Sequence, residues 1–498
     1  MGNDDFLVMA GSTLFGPNAV SQTPQELHTP PVGFAPGPNP TIPVALVPTP
    51  TIEYRARRKV LRSAINSSTP TALGEPVAAD AEPVGARALI WKQDPSVEEI
   101  GIRKVFLPGA VVAGPRDARI SIQGTAQVSP NMLGDFIGPS PGSEAFDAIH
   151  TFAVVRQTLT MYQRALGGIP LPWQWNSAGN PAPLKVFPRA GETMNAFYSR
   201  NEQALKFFFF TKPGSAPGSP PIFTTRSLDI VAHETGHAIL DALKPNWLLN
   251  GNPPQTGGLH ESFGDITAIF LMLSQMDQVE AVIAQTKANL HEKTFLSDLA
   301  EEFGLALGRP NGLRNADNDL RLSQVGTEVH AISQVFTGGI YDILADIFLF
   351  KRNTTRRDDA LTLYQAAVEL QGLLLRAIVG APESGATYAH VVNQMLTIAD
   401  QDGKPVEYRN FIRNRFVLRE VIVSPTPLNV DHEQGLVLEP YFVEPEGAAQ
   451  DRRGCCGTMQ HSQYQQDAER ALQAEFDELN AFLEGGASLQ DLIARQSD

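Results

Sequence analysis

A chain of 498 residues exceeds what one compact core serves, so two lobes with extensions are expected; 42% hydrophobic and 19% charged residues is the make-up of an ordinary globular protein. A formal net charge of −15 argues against a nucleic-acid or anionic-membrane partner, because either needs a basic surface. The two cysteines, Cys455 and Cys456, are adjacent, which excludes a disulfide framework and a cysteine-based zinc site.

The start, MGNDDFLVMAGSTLFG, carries acidic residues where a signal peptide needs basic ones and lacks a proper apolar core. The apolar run Ile266 to Leu273 is far too short to span a membrane. A soluble protein without a recognisable signal peptide is therefore expected, cytoplasmic or exported by another route. Residues 1–75 form a Pro-rich N-terminal extension, with no helical or strand period over roughly the first fifty residues. Residues 76–225 read as a β-rich lobe, in which ALIWK, IRKVFLP and ARISIQG have the look of strands. The stretch Phe146 to Leu166 places Ile149, Phe152, Val155, Leu159, Tyr162 and Leu166 on one helical face. After it PLKVFP, MNAFYS and KFFFF read as strands, and KPGSAPGSPP as a surface loop.

Leu228 to Lys244, LDIVAHETGHAILDALK, carries His233, Glu234 and His237 as H-E-x-x-H inside a helical pattern. Histidines four apart sit one above the other on a helix and can grip one metal ion, with Glu234 beside them to work on a water. A zinc site that does chemistry takes three protein ligands and leaves a position for water, so a third ligand must exist. In GLHESFGDITAIF, from Gly258 to Phe270, Glu261 and Asp265 share one face of a second helix. Glu261 is the expected third ligand, and Asp265 the group that accepts the free N–H of a ligating histidine. The plainer alternatives are two satisfied core histidines and a solvated acidic face, the latter disfavoured by Phe263, Ile266, Ile269 and Phe270.

Beyond Asp265 the pattern is helical almost throughout: His330 to Phe350, Asp358 to Ile378, Thr387 to Asp400 and Glu407 to Val421 complete a helical lobe over residues 226–425. DQDG, from Asp400 to Gly403, lacks the spacing of a calcium loop and reads as a turn. Residues 426–498 form a tail with a polar helix around Gln465 to Leu483.

With these residues placed, the chain resembles the thermolysin family of zinc endopeptidases over separated stretches from Phe146 to Val421. Asn195, Ala196, Phe197 and Tyr198 match the family's substrate strand. Asp229 and Asp241 match the aspartates that flank its metal helix, and Gly257, Glu261 and Asp265 its ligand segment. Leu313–Arg314 and Val329–His330 match two further pairs. The resemblance implies an α+β, two-lobed fold with a central metal-binding helix. It also implies a zinc cofactor, a peptide or protein substrate, His330 as the oxyanion and proton-donor histidine, Arg314 facing the substrate carbonyl, and Asn195 with the Ala196 carbonyl as substrate anchors.

Four departures go with the resemblance. The connection from His237 to Glu261 implies an insertion around Asn250 to Thr256. The place of the family's oxyanion tyrosine falls near Trp247 and Leu248. Met272 stands where a calcium-binding glutamate is expected, so that calcium rests on Asp229 alone. The long secretory pre-pro region has no counterpart. The expected function is a zinc endopeptidase with Glu234 as general base. Its rivals are another zinc hydrolase of aminopeptidase type and a non-catalytic binding protein retaining a structural zinc.

Overall fold

The structure is a computed structural model that describes residues 85–97, 100–249, 251–308 and 312–423. The Pro-rich extension, the polar tail helix and both cysteines lie outside the described residues, as does the boundary expected near residue 75.

Alternation decides the first ladder. In β1 (Gly85–Trp91) the residues Ala86, Ala88 and Ile90 point inward, and they face Val105 and Leu107 of the antiparallel β2 (Ile102–Pro108). A four-stranded sheet follows, built from β3 (Ile120–Ile122), β4 (Leu184–Phe187), β5 (Ala196–Ser199) and β6 (Ala204–Phe207) in the order β3-β4-β6-β5. β3 and β4 are parallel, which requires a long crossover, and helix α1 (Glu144–Ala165) supplies it. Ser143 caps α1 by accepting from the Phe146 amide at 3.1 Å. The apolar stripe read from the sequence is buried from Ile149 to Tyr162. A small hairpin of β7 (Phe209–Phe210) and β8 (Ile222–Phe223) closes around the expected surface loop.

Helices then dominate. α2 (Leu228–Leu243) carries H-E-x-x-H and is capped by Ser227; α3 (Pro254–Leu273) carries the expected third ligand. α4 (Met276–Thr286), a short ladder between β9 (Asp298–Leu299) and β10 (Arg314–Asn315), and α5 (Glu301–Ala306) come next. α6 (Val329–Lys351), α7 (Asp359–Gly380), α8 (Tyr388–Gln401) and α9 (Val406–Leu418) complete the described chain. The molecule is thus α+β, with small sheets first and helices after. α6 is long and apolar enough to cross a membrane, yet its residues lie largely buried against α3 and the helices that follow.

Two of the segments singled out in the sequence take a definite form. In the connection from His237 to Glu261, Pro254 to Thr256 form the first turn of α3, Pro254 occupying a first-turn position where its missing N–H costs nothing. DQDG makes the expected turn at Asp402 and Gly403, at the end of α8, and its aspartates serve arginines: Asp400 lies 2.7 Å from Arg409 and Asp402 2.6 Å from Arg376.

α2 and α3 approach closely because each presents glycine at their crossing. A Cβ on Gly236 would stand 2.8 Å from Thr267 Oγ1, and one on Gly264 would stand 2.6 Å from the His233 ring. The strand side is tied to the same helix through Asp241, which accepts from Tyr198 Oη at 2.7 Å and from Arg200 Nε at 3.0 Å. These contacts hold β5, α2 and α3 together around the H-E-x-x-H segment.

Candidate metal centre

The helical turn places the His233 and His237 rings 4.6 Å apart, nearly perpendicular, and both are buried with Glu234. Each of the three offers a ligand atom within 4.8 Å of the others. Across the gap left by Gly264, α3 presents Glu261. Its carboxylate lies 3.4 Å from His233 Nε2 and 3.5 Å from His237 Nε2. Ligand atoms placed tetrahedrally at ~2.0–2.1 Å around zinc are about 3.4 Å from one another, so these residues fit the ion. His233 Nε2, buried, has no hydrogen-bond partner, as expected of an atom whose lone pair is meant for a metal.

The surroundings fix the ligands. His233 Nδ1 meets Asp265 Oδ1 at 3.0 Å, which leaves Nε2 to face the metal position. Arg314 reaches the same Asp265 oxygen from Nη2 at 2.7 Å and from Nε at 3.0 Å. His237 Nδ1 meets His260 Nδ1 at 2.8 Å, one ring donating to the other. His330, at the head of α6, points Nε2 at Glu261 Oε2 from 3.4 Å, and its Nδ1 lies 2.5 Å from Glu328 Oε1. The other oxygen of Glu328 accepts from the Ala331 amide at 2.7 Å and caps α6.

Charge follows this geometry. Burial works against a charged His233, but the carboxylates of Asp265 and Glu261 beside it prevail and raise its pKa to about 9, so this point of the site favours positive charge. Burial likewise opposes charge on His330, and Glu261 with Glu328 outweighs it, leaving that pKa raised. Burial pushes His237 well down and His260 to about 3, so both are held neutral. Burial would raise Glu261, yet His330, His237 and His233 keep it well below the ordinary carboxylate range; Asp265 is lowered against its burial by Arg314 and His233.

The structure therefore brings together His233, Glu234, His237, Glu261, Asp265, Arg314 and His330. Ala196 lines a small cavity with His233, Glu234 and Arg314. Next to it, buried Asn195 accepts from the Ala196 amide at 2.8 Å and has no partner for its Nδ2. No phenol stands at the expected tyrosine place: Trp247 is buried and donates from Nε1 to the Pro382 carbonyl at 2.9 Å.

His260, Glu328 and the glycines were not singled out from the sequence. His260 precedes an assigned ligand, which was the one available signal. Asp229 is also less alone than its sequence suggests. It meets Asp94 and Glu301 in a buried acidic group, where burial raises its pKa to about 7 and that of Glu301 well up. Asp229 Oδ1 and both Glu301 oxygens lack hydrogen-bond partners, which suits carboxyls that burial keeps protonated. Away from the H-E-x-x-H segment, His291 with Asp317 and Asp342 also stand at ligand spacing, but Arg419 holds Asp342 at 2.8 Å and compromises them as a metal site.

No family model matches the chain. No curated protein matches it either. Among solved structures it is similar to the precursor of protealysin, a metalloproteinase from Serratia proteamaculans, with a TM-score of 0.39 and 14% identity, covering 62% of this chain and 88% of that one. So distant a likeness decides neither fold nor chemistry, and the functional reading rests on the site's own geometry.

Proposed function

We propose that this chain is a zinc-dependent endopeptidase with the two-lobed arrangement of thermolysin-like enzymes, its metal held by His233, His237 and Glu261. The observation that carries the reading is the meeting of two histidines and one carboxylate at zinc-ligand spacing, with Glu234 buried beside them. A structural metal site has no need of that fourth group. Zinc bound there would supply a Lewis acid for a peptide carbonyl and its attacking water. Glu234 takes the proton from that water and delivers it to the leaving amine nitrogen as the C–N bond breaks. His330, oriented by Glu328, donates from Nε2 to the oxyanion that develops on the carbonyl. Asp265 and His260 hold the two ligating rings in position, and Arg314, anchored on Asp265, grips a substrate carbonyl. Asn195 Nδ2 and the Ala196 carbonyl bind the substrate backbone at β5. The partner is a peptide or protein, and the charge of −15 disfavours nucleic acid or an anionic membrane.

One observation favours a second reading. His330 Nε2 lies as far from Glu261 Oε2 as His233 Nε2 does, 3.4 Å, so His330 could close the coordination shell and make the zinc structural. Casein digestion with mass spectrometry of the products, beside zinc content, separates the two. Internal cuts that vanish with a chelator, return with zinc and are absent from a zinc-loaded Glu234→Gln variant support the peptidase. His330→Ala should then keep its zinc and lose turnover by ~10²–10³-fold. Absence of cuts, with zinc lost from His330→Ala, would establish the structural site instead.

A further inference from the structure

The cavity beside His233 and Glu234 measures about 30 Å³. Ile230 from α2, Leu299 from β9, Phe303 from α5 and Leu313 next to β10 form its apolar wall, and Thr224, Asp229 and Asp265 join His233, Glu234 and Arg314 as its polar members. On the same scale one water needs ~10–15 Å³, whereas a cavity of ~150 Å³ accommodates a benzene ring. Room of this size takes a methyl or hydroxymethyl group and refuses an isobutyl or benzyl one.

The wall cannot easily retreat. Phe303 is buried and packs edge-on against Phe210 at a ring separation of 5.1 Å. The next residue of α5, Gly304, lies close against the backbone just before β10: a Cβ there would stand 2.2 Å from the Gly312 carbonyl carbon. Leu313 is fixed from the other side, its amide donating to the Leu299 carbonyl at 2.7 Å. The segments carrying Leu299, Phe303 and Leu313 thus form one braced unit.

From this we infer that Phe303 sets the substrate specificity: the residue on one side of the scissile bond enters this cavity and must be Gly, Ala or Ser. The inference rests on the endopeptidase reading and adds the substrate class to it. Each methylene in excess of the cavity costs the substrate about tenfold or more in kcat/KM.

The test is cleavage of a random peptide mixture, with mass-spectrometric scoring of the residues flanking each cut, by wild type, Phe303→Leu and Phe303→Ala. Zinc content and a thermal melt accompany each variant. The expected result is strong enrichment of Gly, Ala and Ser at one flanking position for wild type, and at least tenfold relaxation toward Leu, Met or Phe at that position for a folded, zinc-loaded variant. Wild-type cuts without a small-residue preference at either flanking position would overturn the inference and leave the peptidase standing, whether or not the variants fold. An unchanged profile in a folded variant would overturn the role of Phe303. Absence of any chelator-sensitive cut would remove the peptidase and this inference together.

Discussion

Adding one methyl group at Gly264 should weaken zinc binding at the proposed metal centre while sparing the helix. The Cβ of Gly264→Ala would stand 2.6 Å from Cε1 and Nδ1 of His233 and 2.8 Å from Cγ. Carbon contacts settle near ~3.5 Å, so the ring must retreat by close to 1 Å. Metal sites tolerate displacements of only ~0.5 Å. The retreat also strains the 3.0 Å contact between His233 Nδ1 and Asp265, a kind of support whose loss lowers metal affinity ~10–100-fold. Stability moves less, because overpacking costs ~1–3 kcal/mol while replacing a mid-helix glycine by alanine returns ~1 kcal/mol. Competition for zinc against a chromophoric chelator is expected to show at least a tenfold weaker site, with a metal-free melting temperature within a few degrees of wild type. A folded variant that binds zinc as tightly as wild type would refute the argument that this glycine makes room for the ligand.

Two other predictions follow from buried charge. Asp241→Ala leaves Arg200 without its carboxylate and Tyr198 without its acceptor; breaking such a buried pair costs ~3–5 kcal/mol in urea unfolding, and a loss under ~1 kcal/mol would mean that β5 is held to α2 by packing alone. His150 has its pKa pushed down to about 3, by burial first and by Arg226 second. Only the unfolded chain takes up its proton as pH falls below ~6.5, so its contribution to stability is complete above that pH and declines on acidification, by at most ~1.4 kcal/mol per pH unit. The stability difference between wild type and His150→Gln should therefore shift against wild type between pH 7 and pH 5, and parallel pH profiles would contradict the assignment.

Local pattern made parts of the site readable in the sequence, and contacts between distant segments hid the rest. His233, Glu234 and His237 lie within one turn, and Glu261 with Asp265 within another, so helical geometry alone aligns each set. The long amphipathic helices were readable for the same reason, down to the buried stripe of α1. What Gly264 does depends on a ring 31 positions earlier in the chain, and no local period reveals it. The order β3-β4-β6-β5 was equally hidden, since strands of three or four residues pair according to what the helices leave open. α4 and α5 leave no clear period in the sequence because they are short and few of their residues face the core. Glu328 looks like any helix-start acid until His330 is seen to turn back on it.

That double use of Glu328 ties the chemistry to the most labile part of a helix. One carboxylate oxygen holds the Ala331 amide at the start of α6 and the other holds the His330 imidazole. First turns fray more readily than helix interiors, opening at a small fraction of the global unfolding free energy. Opening of this turn would take away the carboxylate that orients His330 toward Glu261. The orientation of His330 is thus tied to the winding of one helix end, while the ligand set on α2 and α3 is independent of it.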